Sequence, residues 1–309
     1  MAKSDFKVVD NHFHIYDFDG IRKSYGKNRY VTEITDFLDH ARGKINEPMM
    51  IRDLNAQDMV DLVDEWGIEK AILHPLSTKS FYGFDKMSNE MVIDFAEKYP
   101  DKFAVCVELD PRDRASLGKL EGYTRNHDVK SVNMNPNFFG GFFYNDKELL
   151  PYYEKIQELG LPIMMHTGPT LATCRVKYNN PEVVDDVAMT FPDLPIVIEH
   201  MGHPWSDVAY SIAMKNNNVY IGLSGTFNYM VKSNSFYASV EFEKMLKTVG
   251  PKKMIFGTDT PSVGGGKEAI DFIKSRKATW LGKVTNSYPI TEQDKKLILR
   301  DNSRRLFRL

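Results

Sequence analysis

The chain has 309 residues, 42% of them hydrophobic and 27% charged, with 40 basic against 42 acidic side chains for a formal net charge of −2. This is the balance of an ordinary globular protein, and it excludes a strongly cationic chain steered to nucleic acid or to an anionic membrane. Length alone corresponds to about two domains at roughly 100–200 residues each, or to one closed α/β barrel, which takes roughly 250. The two cysteines, Cys106 and Cys174, are too few for a disulfide framework or a cysteine-rich metal site. No stretch approaches the roughly 20 apolar residues of a membrane helix. The opening MAKSDFKVVDNH has no apolar signal core, so a cytoplasmic location is expected.

In chain order, short apolar runs alternate with longer amphipathic stretches. The first run is 7–16 (KVVDNHFHIY). A polar segment follows at 17–51, with Gly20, Gly26, Gly43, Pro48 and the basic run RKSYGKNR. It reads as a lid-like insertion or a surface loop within one domain spanning 1–309. Residues 55–66 place Met59, Val60, Leu62, Val63 and Trp66 on one helical stripe. The second run, 70–77, is followed by a helix over 88–98 with Ser88 as its N-cap and Met91, Val92, Phe95 and Ala96 as its stripe. Runs at 103–111 and 129–136 precede a helix at 145–159. The run at 161–168 precedes a helix at 181–189, whose opening proline suits a first turn. Runs at 194–202, 219–225 and 254–261 alternate with helices at 205–214, 238–249 and 267–273, and 291–307 closes the chain with one or two helices capped by Thr291. Runs apolar at nearly every position suit strands buried on both faces, as in parallel sheets. Eight of them with intervening helices predict an α/β fold, a (β/α)8 TIM barrel with an insertion after the first strand and closing helices at the C-terminus. The competing open, doubly wound sheet lacks support, because no GxGxxG follows the first strand and no GxxxxGK[ST] occurs.

Polar residues fall at telling places in these runs. His12 and His14 flank Phe13 and point the same way along a strand. His166 ends the fifth run, His200 lies late in the sixth and Asp259 ends the eighth. In a barrel, strand C-termini converge on the face where active sites are built. Several imidazoles with one carboxylate suit a divalent transition metal such as zinc. His74, taken alone, reads as a core histidine satisfied by hydrogen bonds. His40 and His127 read as surface residues, and Met134, Met164 and Met165 as packing.

With these segments in hand, the sequence resembles the amidohydrolase superfamily, and within it the amidohydrolase-related (amidohydrolase 2) branch. The matching stretches are VVDNHFH, VKSVNMNP, LPIMMHTG, IVIEHMGHP, IFGTDTP and ITEQDKKLILRDNSRRLF, which run from the first strand to the last helix. The resemblance implies His12, His14 and His166 as metal ligands and His200 as a catalytic residue that activates or orients substrate or water. It implies Asp259 as a residue near or on the metal and the catalytic proton shuttle. It implies one divalent ion, most commonly Zn2+ with Mn2+ as the alternative, since the fourth strand ends without a carboxylatable lysine. It also implies a small-molecule substrate and a homodimer.

Two reactions fit. Hydrolysis of a lactone, amide or ester by metal-activated water is the leading expectation, because HTGPT resembles the hydrolases of the branch. Non-oxidative decarboxylation of an aromatic or muconate-type acid is the alternative, and a non-catalytic barrel with a structural ion is a third reading. Candidate substrate contacts are Arg175, Arg52, Asn135 and Trp205, all at loop positions where barrels place specificity, together with Asn137, Phe138 and Asn228.

Overall fold

The computed structural model describes residues 6–15, 56–77, 79, 83, 85, 87–168, 175–276 and 290–309. The insertion at 17–51, Arg52, His40 and Cys174 lie outside the described residues.

Eight strands form one sheet in sequential order, each parallel to the next. They are β1 (Val8–Phe13), β2 (Ile68–Leu73), β3 (Phe103–Glu108), β4 (Val129–Met134), β5 (Ile163–Met165), β6 (Ile196–Ile198), β7 (Val219–Gly222) and β8 (Met254–Ile255). The intervening helices are α1 (Ala56–Glu65), α2 (Asn89–Lys98), α3 (Arg114–Asn126), α4 (Leu150–Glu158), α5 (Val184–Thr190), α6 (Ser206–Lys215), α7 (Thr226–Ser233), α8 (Ser235–Thr248) and α9 (Gly266–Ser275). The chain closes with α10 (Glu292–Lys296), a π turn over Leu297–Asp301 and α11 (Asn302–Phe307). The sequence-based expectation of a TIM barrel therefore holds.

Strand alternation separates two apolar layers. Ile72, Ala104, Cys106, Met164, Val197 and Ile255 pack inside the barrel, joined by Phe307 of α11. Leu73, Val105, Val107, Val132, Ile163, Ile196, Ile198 and Ile221 face outward into the helix layer. Each fully buried aliphatic side chain contributes roughly 1.5–3 kcal/mol. The helix termini follow the residue chemistry. Ser88 Oγ accepts the Met91 amide at 3.3 Å at the start of α2, and Thr291 with Asp294 forms a reciprocal capping box on α10. Met91, expected on the buried stripe of α2, is instead 51% exposed, because Val92, Ile93 and Ala96 face the core.

Closure is made where β1 meets the chain after β8. Asn11 N–H donates to Phe256 O at 3.0 Å, Asp259 N–H to His12 O at 2.7 Å and His14 N–H to Thr260 O at 2.7 Å. The Asp10 carboxylate pegs the seam, accepting the Thr258 amide at 2.9 Å, the Thr258 hydroxyl at 2.6 Å and the His12 amide at 3.0 Å. Burial outweighs those bonds and pushes the Asp10 carboxyl up to about 7. Gly257 is required by the same approach, since a Cβ there would lie 2.5 Å from Asn11 Oδ1.

Candidate active site

The inner face of the barrel turns polar at its C-terminal end. His12, His74, Glu108, Asn133, Glu199, His200 and Asp259 are all buried there. His12 and His14, on and just past the end of β1, bring their Nε2 atoms to 3.1 Å. Asp259 Oδ1 stands 3.1 Å from His14 Nε2 and 3.8 Å from His12 Nε2. His200 follows β6, its ring 5.3 Å from that of His12 and 4.6 Å from that of His166.

Hydrogen-bond partners fix the tautomers, because carbonyls and carboxylates only accept. His12 Nδ1–H donates to Glu199 Oε1 at 2.8 Å. His14 Nδ1–H donates to His74 O at 2.9 Å, and His200 Nδ1–H to Ser224 O at 3.0 Å. His200 Nε2 is then a lone pair, which accepts from His166 Nδ1–H at 3.0 Å. In the neutral rings of His12 and His166 the Nε2 atoms remain as lone pairs, that of His166 buried without a partner, while His14 Nε2 lies 3.1 Å from both His12 Nε2 and Asp259 Oδ1. Burial pushes His12 well below the usual imidazole range and His166 down to about 3, so neither carries a second proton at neutral pH.

Burial also works to raise Asp259. The His14 hydrogen bond and the electrostatic pull of the facing His12, His200 and His14 imidazoles outweigh it and hold the carboxyl well below its usual range. Two imidazole Nε2 atoms and a carboxylate oxygen at 3.1–3.8 Å from one another match the donor spacing around an ion with bonds of about 2.0–2.2 Å. Among the described residues, His12, His200 and Asp259 form one of the groups able to hold a metal ion. The donors therefore fit a divalent metal.

Backbone strain aims these side chains. His200 and Met201 are left-handed, with φ of 53° and 60°, and Asp259 has φ of 58°. Gly225, with φ of 66°, passes so close that a Cβ would sit 2.6 Å from Asp259 Oδ2 and 3.1 Å from His200 Nδ1.

The remaining expected site residues are placed around this cluster. Asn135 is buried in the turn after β4, its Oδ1 accepting the Asn137 amide at 3.0 Å. Trp205 is half-buried and caps α6, and Arg175 is exposed ahead of a 3-10 turn over Val176–Asn179. Asn228 is fully buried, and its amide donates to Thr258 O at 2.5 Å, which commits it to shaping the Asp259 loop. His74 is buried as expected, with Nε2–H donating to Asn11 O at 2.8 Å, and its ring stacks on His12 at 4.0 Å. Sequence reasoning missed Asp10, Glu108 and Glu199, acids that each interrupt an apolar run.

A TIM barrel with histidines and an aspartate gathered at its strand C-termini is the class that fold and site define. Residues 9–309 match the Amidohydrolase family, and the chain belongs to it. The 2-keto-4-carboxy-3-hexenedioate hydratase of Sphingobium sp. (strain NBRC 103272 / SYK-6) is 21% identical over 243 residues, 71% of this chain and 70% of that protein. Among solved structures, a TIM-barrel protein of Bordetella bronchiseptica matches with a TM-score of 0.70 at 22% identity, covering 97% of this chain and 98% of that one. The 5-carboxyvanillate decarboxylase of Novosphingobium aromaticivorans DSM 12444, complexed with manganese and 4-hydroxy-3-methoxy-5-nitrobenzoic acid, matches with a TM-score of 0.68 at 15% identity, covering 99% and 97%. The 2,6-dihydroxybenzoate decarboxylase from Rhizobium matches with a TM-score of 0.63 at 18% identity, covering 98% and 99%. These likenesses establish the fold. Among the described residues no helix is long and apolar enough to cross a membrane.

Proposed function

We propose that this protein is a metal-dependent carbon–carbon lyase that removes a carboxylate, without oxidation, from a small hydroxylated aromatic or similarly unsaturated acid. The observation that carries the metal-dependent reading is the convergence of His12 Nε2 and His14 Nε2 on the Asp259 carboxylate at 3.1–3.8 Å. The choice of a carboxylated, unsaturated substrate is supported by relatives whose names are decarboxylases and a hydratase of an unsaturated carboxylic acid. That support moves decarboxylation ahead of hydrolysis, which the HTGPT stretch had favoured.

His12, His14 and His166, with Asp259 near them, would hold one divalent ion, Mn2+ or Zn2+. Bound there, the ion would offset the negative charge of the substrate's carboxylate and neighbouring oxygen. Asp259, held as a carboxylate, accepts the proton of the substrate hydroxyl and then delivers it to the carbon that bears the carboxylate. A carbon–hydrogen bond forms as the carbon–carbon bond breaks, carbon dioxide leaves, and the product oxygen takes its proton back from water. His200 accepts from His166 through its Nε2 and stands beside Asp259, its Nδ1 3.9 Å from Oδ2. Asn135, Trp205 and Arg175, and by its sequence position Arg52, are proposed as substrate contacts.

Hydrolysis is kept as the second reading, because a carboxylate held ionised also suits a base toward water. The test is incubation of the Mn2+- or Zn2+-loaded protein with hydroxybenzoates and muconate-type acids, following carbon dioxide, and separately with lactones, following acid release. Carbon dioxide release dependent on Asp259 supports the lyase. Acid release from lactones with no carbon dioxide from any acid overturns it in favour of hydrolysis.

A further inference from the structure

Glu199 and His200 are consecutive, yet both side chains enter the barrel mouth. On a regular strand neighbours point to opposite faces. The left-handed backbone at His200 and Met201 breaks that rule immediately after β6. His200 thus reaches Ser224 and His166, while Glu199 keeps the inward position that alternation from Val197 assigns it.

Glu199 is fixed there from several sides. Its backbone carbonyl accepts the Thr167 hydroxyl at 2.7 Å. Gly222 of β7 packs against the Glu199 backbone, where an added Cβ would stand in ordinary contact with the Glu199 Cα at 3.5 Å. The side chain is 1% exposed, and its Oε1 takes the His12 Nδ1–H at 2.8 Å. His74 Nδ1 lies 3.7 Å from the same oxygen, too far for a hydrogen bond, and Oε2 is buried without a partner. The ring of His74 lies beneath that of His12 at 4.0 Å and 18°, and is itself tied to Asn11 O. A buried carboxylate held this firmly against an imidazole, with one oxygen left over, has a cost that packing alone does not explain.

We propose that Glu199 is a positioning residue that sets the metal affinity of the site through His12. It holds the proton on Nδ1, which leaves Nε2 bare and aimed at His14 and Asp259, and it supplies the countercharge for the ion beyond that ring. His74 forms the floor that keeps the ring from tilting. The inference rests on the metal-dependent reading of the site. Its chemistry is general, since a carboxylate behind a ligating histidine fixes the tautomer and raises ligand basicity, and losing it typically costs about 10–100-fold in metal affinity.

The experiment compares wild type, Glu199→Gln, Glu199→Ala and His12→Ala. The metal-free proteins are titrated with Zn2+ and Mn2+ against a chromophoric chelator, and the His12 tautomer is read from long-range 1H–15N spectra. Glu199→Ala is expected to bind about 10–100-fold more weakly and to lose the fixed Nδ1–H signature. Glu199→Gln, nearly isosteric and still able to accept at its carbonyl oxygen, is expected to keep the signature with an intermediate affinity. Circular dichroism and melting of the metal-free proteins separate these effects from misfolding, and Glu199→Gln carries the test if the alanine variant does not fold. Wild-type affinity within twofold in both Glu199 variants, with His12→Ala impaired, overturns the proposal and leaves the metal site standing. If wild type binds neither ion, the lyase reading loses its metal, and an unchanged His12 tautomer in Glu199→Ala then overturns the positioning role as well.

Discussion

The Asp259 carboxylate faces the His14 imidazole across 3.1 Å, although the two belong to opposite ends of the barrel's chain order. The contact exists because the Asp259 amide donates to His12 O and the His14 amide to Thr260 O, which lace the last strand segment to the first. Replacing Asp259 by Asn keeps the shape and removes the base. Turnover is expected to fall by about 10²–10⁴-fold while the melting profile stays close to that of wild type. A variant with wild-type turnover rules out Asp259 as the proton carrier in either reaction.

Gly225 offers a test of spacing. Its φ of 66° and the 2.6 Å approach of an added Cβ to Asp259 Oδ2 leave alanine no room. Gly225→Ala should lose activity by about 100-fold or more, the scale on which a displacement of about 1 Å acts. The strained backbone should cost about 1–3 kcal/mol of stability. Steady-state kinetics beside chemical denaturation measures both, and normal kinetics would show that Asp259 tolerates displacement.

Glu108 provides the pH dependence. It is buried at the end of β3, with Oε2 accepting the Ser77 amide at 2.5 Å and Oε1 facing Asn133 Nδ2 at 3.3 Å. Burial pushes its carboxyl well above the ordinary range, and Asp110, Glu199 and Asp85 add to the rise. The folded state therefore keeps this proton to higher pH than the unfolded chain. The contribution is full below about pH 4.3 and is lost as pH climbs toward the folded value, at up to about 1.4 kcal/mol per unit. Glu108→Gln removes that loss. Its unfolding free energy relative to wild type should rise between pH 5 and pH 8, and a difference independent of pH would show that Glu108 is ionised in the fold.

Metal removal separates an enzyme from a barrel held together by its ion. The inner layer from Ile72 to Ile255 and the outer layer facing the helices are complete without the rim histidines. Chelated protein should lose turnover yet unfold cooperatively. Its midpoint should rise with added metal by the mass-action amount, about 2.7 kcal/mol at a concentration one hundred times the dissociation constant. Collapse of the far-ultraviolet signal on chelation would instead favour the structural-ion reading.

The sequence carried the barrel because each strand is an apolar run and each rim histidine interrupts one. It carried the caps at Ser88 and Thr291 because their side-chain chemistry is local. It concealed α7, which starts after a left-handed Gly225 with no side-chain cap and buries Thr226 and Asn228 among its core residues. It overstated β8, expected over 254–261, because the chain past Ile255 bonds to β1 through Asp10, His12 and His14 in an irregular seam. Glu199 was hidden for a different reason. Alternation assigns Glu199 and His200 to opposite faces, and only the left-handed turn puts both inside.

The seam between β1 and β8 also sets an order of events. His12 and His14 leave a ribosome well before Asp259 does. A growing chain that has made the early strands holds two imidazoles with no carboxylate opposite them. The arrangement proposed to hold an ion then comes into being only when the eighth strand zips against the first, so loading with metal is expected to report that the ring has shut.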